Sequence, residues 1–232
     1  MSKAKQAETK SFLDEEIDLR ESYSKVEHFI HDNRNTVLAV VGGIALILAI
    51  FFGFRSVYLP SQERAAQAEM FVAQQYFKND SLNLALNGDG SYPGFLGIIS
   101  DYSGFTKSVK LAHYYAGIIY LNQSNFEDAI KHLSKFSGSD PVINATAYGA
   151  LGDAYSETGK MDKAISYYKK AAAASNNEFT APFNLLKAGM ALEQQGDFSG
   201  AKSVYEQIKK DYAESQQGRE IDKYIARAEA NL

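Results

Sequence analysis

The side chains able to do chemistry are few, and their spacing does not assemble them. The chain has no Cys, which removes disulfides, thiolate nucleophiles and thiolate metal sites together. His28 and His31 stand three apart, as two ligands on one helix would, but without a fuller ligand set they read as solvated imidazoles. Asp89 lies between glycines in NGDGSYPG (Asn87–Gly94); the alternating carboxylates and terminal Glu of a calcium loop are missing, so a plain turn is expected. Ser-x-x-Lys occurs at Ser22–Lys25, Ser166–Lys169 and Ser199–Lys202, a recurrence that marks it as chance. There is no phosphate-binding loop, no H-E-x-x-H and no nucleophile elbow. The expectation is a protein that is not an enzyme and needs no cofactor or metal. Lys plus Arg number 24 against 28 Asp plus Glu, a formal charge of −4, which argues against a nucleic-acid partner.

The elements themselves carry more information. From Asn35 to Phe54 the chain runs NTVLAVVGGIALILAIFFGF without a charge, between Arg34 and Arg55. At 1.5 Å per residue this helix is about 30 Å long, the thickness of a bilayer's hydrocarbon core. The preceding tail and the aromatic far end (Phe51, Phe52, Phe54, Tyr58) predict an uncleaved signal anchor rather than a signal peptide. Arg20, Lys25 and Arg34 on one side, against Arg55 and Arg64 on the other, place the tail inside and the large domain outside. In the tail, Leu19, Tyr23, Val26 and Ile30, with Phe29 beside them, predict a short amphipathic helix. Beyond Pro60, residues 62–79 predict a strong helix with Ala65, Ala68, Val72, Ala73 and Tyr76 on one face, and residues 95–106 a short helical stretch after the turn.

After Lys110 the sequence repeats. Tyr148, Leu151, Gly152, Tyr155, Ala164, Tyr168 and Ala171 have counterparts in His113, Ala116, Gly117, Tyr120, Ala129, Leu133 and Phe136, and again in Leu185, Ala188, Gly189, Leu192, Ala201, Tyr205 and Ile208. The intervals are 35 and 37 residues, near the period of tetratricopeptide repeats, each a pair of antiparallel helices. Gly and Ala would sit where the two helices cross, and Ser124, Gly159 and Gly196 in the turns between them. The expected fold is all-α: a single N-terminal transmembrane helix followed by a tetratricopeptide-repeat α-solenoid. Its parts are a cytoplasmic tail (1–34), the transmembrane signal anchor (35–58), N-terminal solenoid helices (59–109), three repeat units (110–214) and a C-terminal capping helix (215–232) whose stripe is Ile221, Tyr224, Ile225 and Ala228.

With no catalytic constellation, surface is what remains. The first helix of each unit lines the concave face of such a solenoid. Register then assigns a protein-binding groove to Leu111, Tyr114, Ile118, Leu121 and Asn122, to Thr146, Gly149, Asp153 and Ser156, and to Phe183, Leu186, Met190 and Glu193. This lining reads as apolar with scattered acids, lacking the Lys and Asn pairs that clamp a C-terminal carboxylate. The helix of residues 62–79 is a rival occupant for the patch around Tyr114, Ile118 and Leu121.

The order of tail, anchor Val37–Phe54, helix AAQAEMFVAQQYF (Ala65–Phe77) and repeats around Gly117, Gly152 and Gly189 resembles the YfgM-type family of membrane-anchored repeat proteins. That resemblance implies an ancillary subunit of the Sec translocon in the bacterial inner membrane. It further implies a periplasmic repeat domain and, as partners, translocon subunits and a membrane-anchored periplasmic chaperone or peptidyl-prolyl isomerase. The repeats alone leave open a scaffold for envelope assembly or for cell-wall machinery.

Gly42, Ala45, Ala49 and Gly53 share one narrow face of the anchor, where small side chains allow a second helix to approach. Replacing Ala45 and Ala49 by Leu is expected to preserve insertion and to remove a membrane partner that co-purifies with the wild type. Unchanged co-purification in mild detergent would leave the stripe without that role.

Overall fold

The computed structural model describes residues 26–232. Leu19 and Tyr23, expected on the tail helix, lie outside the described residues. The chain divides into two compact units, Met1–Tyr58 and Leu59–Leu232.

In the first unit residues 26–32 are helical, followed by α1 (Arg34–Gly53) and a π-helical turn, Phe54–Tyr58. No residue of α1 is buried, and its apolar side chains run around the whole circumference. A helix without a polar face has no side to turn to water. Among the described residues it is part of the one helix long and apolar enough to cross a membrane. Phe54 and Tyr58 stack at 5.3 Å across the π turn. A Cβ added at Gly42 or Gly53 would meet nothing within 4 Å, so the small-residue face is open in the chain itself.

The second unit is helical, with one isolated bridge, Gly88–Pro93, among its described residues. It begins with α2 (Leu59–Lys78), α3 (Leu82–Asn87) and α4 (Phe95–Asp101). The turn between α3 and α4 is organised by Asp89. Its carboxylate accepts from the Ser91 and Tyr92 amides, both at 2.8 Å, and from the Tyr76 hydroxyl at 2.6 Å. Those bonds hold its pKa below the ordinary carboxylate value, the Tyr76 hydroxyl contributing most. The helix expected over 95–106 stops at Asp101, because Tyr102 is extended and Thr106 already caps the next helix.

Three helix pairs follow: α5 (Lys107–Asn122) with α6 (Phe126–Leu133), α7 (Pro141–Glu157) with α8 (Met161–Ala174), and α9 (Thr180–Gln194) with α10 (Phe198–Asp211). Each pair crosses at its glycine. A Cβ at Gly117 would stand 2.5 Å from Leu133 Cγ, one at Gly152 2.5 Å from the Tyr168 ring, and one at Gly189 2.2 Å from the Tyr205 ring. The facing Ala129, Ala164 and Ala201 are fully buried. Seven residues after each glycine the chain turns through the left-handed region, at Ser124 (φ 59°), Gly159 (φ 72°) and Gly196 (φ 81°). That conformation costs glycine nothing and strains the serine of the first pair. Helix starts are fixed locally. Asp140 accepts from the Val142 and Ile143 amides with Pro141 at the first helical position, and Asn125 and Asp197 accept from Asp128 and Gly200.

α2 and α4 cover one side of α5. The Tyr115 ring stacks on Phe95 at 4.9 Å and meets Phe77 edge-on at 5.0 Å. Glu63 of α2 accepts from the Lys107 amide at 2.7 Å and from the Ser108 hydroxyl at 2.8 Å, so a carboxylate occupies the N-terminus of α5. The chain closes with two short helices rather than one, α11 (Gln216–Glu220) and α12 (Asp222–Glu229), joined at the fully buried Ile221. Tyr224 lies 5.5 Å from Tyr205, and Arg227 pairs with Glu193. Lys202–Glu229 (3.0 Å) and Lys209–Asp222 (2.8 Å) tie α10 to α12.

His113 and His132 are both buried, with their Nδ1 atoms 3.1 Å apart. One ring donates from Nδ1 and the other accepts there, so at least one of the two must stay neutral and two imidazoliums would face donor to donor. Burial chiefly, then the neighbouring His132 and Lys135, pushes His113 down from 6.5 to about 4; burial and Lys131 also lower His132. The unfolded chain therefore binds protons at a higher pH than the folded one. Stability is full above about pH 6.5 and falls as the pH drops toward 4, by on the order of 2–3 kcal/mol. Thermal melts at pH 8 and pH 5 should show this loss. The double substitution His113→Tyr, His132→Tyr, copying Tyr148 and Tyr167 of the next pair, should flatten it.

Candidate functional site

The described residues offer no group of three or more His, Asp or Glu able to hold a metal ion. His28 and His31, paired in sequence, are exposed on the first unit.

The first helices of the three pairs, α5, α7 and α9, together line a groove of about 310 Å³. Small residues make it: Ala145, Gly149 and Ala150 of α7 let the larger side chains of α5 and α9 face one another across the middle helix. Ile118 and Leu121 form one wall, and Phe179 and Phe183 the other. Phe179 is 84% exposed and Phe183 46%, an unusual display for phenylalanine.

The polar part of the groove is a closed set. Lys187 Nζ donates to both Asp153 oxygens at 2.8 Å, and the Tyr168 hydroxyl donates to Asp153 Oδ1 at 2.8 Å. Lys187 also lies 4.7 Å over the Phe183 ring and 5.7 Å from that of Tyr168. The Tyr168 pKa is pushed up, first by burial and then by the Asp153 charge. The cation and anion thus neutralise each other at the foot of Phe183. Asn184, 5% exposed, lies on the floor with its Nδ2 donating to the Thr180 carbonyl at 2.8 Å. Its Oδ1 accepts no hydrogen bond among the described residues and lies against Gly149, where a Cβ would come within 2.7 Å of it.

Of the residues that register assigned to the groove, Ile118, Leu121, Asn122, Asp153 and Phe183 line it, as do Thr146 and Gly149. Six others are placed elsewhere, among them Ser156, whose hydroxyl donates to Met161 Sδ at 3.7 Å, and Glu193, which pairs with Arg227. Leu111 borders two separate clefts, one with Glu63 and Phe71 and one with Phe136 and Ile143. Tyr114 is half-buried with its ring 5.4 Å from those of Phe136 and Tyr115. Leu186 packs half-buried on the core, and Met190 is exposed beyond the groove. The rival occupant is also placed: α2 packs on the side of α5 that carries Ala112 and Tyr115, while Tyr114, Ile118 and Leu121 pack against the core shared with the later repeats.

The lining is less acidic than the sequence reading held, because Lys187 and Asn184 belong to it. Spacing from Phe183 allows either Leu186 or Lys187 to face the groove, and it is Lys187 that borders it. The signal for Lys187 is Asp153, an opposite charge almost one repeat earlier. Phe179 stands just before α9, where no helical register reaches it.

Residues 111–178 and 184–215 match models of the tetratricopeptide repeat, so the chain carries these repeats. Similar solved structures include the nearly identical TPR-like repeats of a Podosopora anserina kinesin light chain, at 14% identity, 73% coverage of this chain, 87% of that one and a TM-score of 0.53. The crystal structure of MamA protein is 20% identical over 72% of this chain and 91% of its own, with a TM-score of 0.46. At these identities the likeness is one of fold. No curated protein matches the chain in sequence.

Tyr114 and Leu121 differ in what their loss should do. Tyr114→Ala removes a ring packed between two others and should lower stability by about 2 kcal/mol, several degrees in Tm. Leu121→Ser should cost about 1 kcal/mol or less in stability and act mainly on ligand binding. Thermal melts of the two variants side by side check the assignment.

Proposed function

We propose that this protein is a membrane-anchored scaffold that holds other proteins in the groove between α5, α7 and α9. The observation that carries the reading is the pair of exposed phenylalanines, Phe179 and Phe183, facing Ile118 and Leu121 across a floor of small residues. Large aromatic side chains beside a dry apolar floor are what protein-binding hot spots are made of. Tetratricopeptide repeats are typically non-enzymatic interaction modules, and the apolar α1 supplies an anchor.

In the finer reading the repeats lie outside the membrane and the chain is an ancillary Sec translocon subunit, docking a periplasmic chaperone or meeting emerging chains. This rests on the order of tail, anchor, α2 and repeats, and on the three-to-two bias of Arg and Lys flanking the span. A scaffold for envelope assembly or cell-wall machinery shares every one of these features, and the co-purifying proteins distinguish the two.

Because the chain has no Cys, single cysteines report topology cleanly. Ser166→Cys, on the exposed surface of α8, should react with an impermeant thiol reagent in cells whose inner membrane is intact and whose outer layer is permeabilised, while Ser2→Cys should not. Reaction at Ser2 alone reverses the orientation. A photocrosslinking amino acid at Phe183 should then trap translocon or chaperone subunits. Capture of outer-membrane or murein-processing components instead would favour the second reading.

A further inference from the structure

We propose that the corner of the repeat unit formed by Phe105, Lys107 and Lys110 is a second contact with the membrane. The Phe105 ring enters the interfacial layer of the bilayer, and the two lysines hold anionic phospholipid headgroups. Only the passage of α1 through the membrane is presupposed; the groove plays no part.

Four observations meet at this corner. The first is a tether. Leu59 follows directly on Tyr58, the last residue of the anchor unit. Glu63, one turn into α2, accepts from the Lys107 amide at 2.7 Å, and Phe105 stands two residues before Lys107. One helical turn, one side chain and two residues of backbone keep Phe105 within roughly 20 Å of Leu59. The second is the ring itself. Phe105 is 72% exposed, in a turn closed by the Thr106 hydroxyl, which donates to the Ser103 carbonyl at 2.8 Å. Thr106 is buried and caps α5, so the turn that carries the ring is already ordered and little freedom is lost when the ring enters lipid.

The third observation is the charge at the start of α5. Its first turn holds no acid; Lys107 is its first residue and Lys110 follows one turn on. The helix dipole favours carboxylates there, as at Glu127 and Asp128 of α6 or Asp162 of α8. Neither lysine makes an ion pair among the described residues. Unpaired lysines set against the dipole call for an anion from outside the chain. The fourth is a cleft of about 430 Å³ beside them, in which Lys107 and Lys110 border Leu111, Phe136 and Ile143. The carboxylates that reach this corner, Glu63 and Asp140, are turned to backbone amides, of Lys107 and Ser108 and of Val142 and Ile143. A basic rim over an apolar floor matches an anionic headgroup and the first carbons of its acyl chains.

The chain contains no Trp, so a single indole reports its surroundings without background. Full-length Phe105→Trp in vesicles of phosphatidylcholine and phosphatidylglycerol is compared with full-length Phe179→Trp, whose parent residue is 84% exposed in the groove. Lipids brominated near the headgroup should quench the indole at position 105 about threefold more than that at position 179. Omitting phosphatidylglycerol should lower the quenching at 105 and requires no change in the protein, so a folding defect cannot mimic it. Adding Lys107→Glu and Lys110→Glu should shift the bound-to-free ratio of the corner by on the order of tenfold. Phe183→Ala, which tests the groove, should leave the quenching unchanged. Equal quenching at the two positions overturns the proposal. So does quenching at 105 that ignores both lipid charge and the lysines. If the chain does not enter vesicles at all, the anchor reading falls and this one with it. If it is anchored and the indole at 105 stays unquenched, only the corner contact falls.

Discussion

Two helices can approach closely only where a side chain is missing, and in this chain the missing side chain is the same one three times. Gly117, Gly152 and Gly189 each receive a bulky neighbour from the following helix, and a single methyl at any of them would stand 2.2–2.5 Å from Leu133, Tyr168 or Tyr205. Displacing a ring anchored on both sides has no inexpensive solution in a packed interior. The close crossing fixes the angle of each pair, and stacking the pairs sets the first helices side by side. The turn that joins each pair seven residues later inherits its left-handed backbone from the same geometry.

The crossing also reaches the groove. Tyr168 lies against Gly152 with its ring and extends its hydroxyl to Asp153, which in turn holds Lys187 of the next pair. One side chain therefore closes the helix crossing of the second repeat and orients the carboxylate that neutralises the groove's cation. Helix packing and the charge balance of the groove are not separable at that residue. The amide of Asn184 depends on the middle helix in a similar way, since only a residue without Cβ at position 149 leaves room for its oxygen.

The first pair departs from its successors in chemistry more than in shape. His113 and His132 occupy the positions held by Tyr148 and Tyr167 in the second pair, whose rings lie 6.2 Å apart, and by Leu185 and Val204 in the third. An apolar contact there has become a titratable one. The same pair is covered by α2 and α4 on its other side, with Tyr115 stacked on Phe95 and edge-on to Phe77.

The periodicity of small and large residues determined the helix pairs and the crossing points, because a repeat writes the same steric demand into the chain three times. The uncharged run at Asn35–Phe54 likewise announced a helix with no watery face. The ends of elements were harder to read: the 95–106 segment and the C-terminal cap each break where a local cap or a buried joint intervenes, at Tyr102 and Ile221. Only the tertiary structure decided which side of each first helix faces the groove. Leu186 and Lys187 are neighbours on the same turn, and the choice between them is made by Asp153, 34 residues away in sequence and 2.8 Å away in space. Tyr114 and Tyr115 divide in the same fashion, one toward Phe136 and the other into the stack with Phe95. Local spacing carries the period of a helix but not its rotation about its own axis. That rotation is fixed by partners the chain meets only once it has folded.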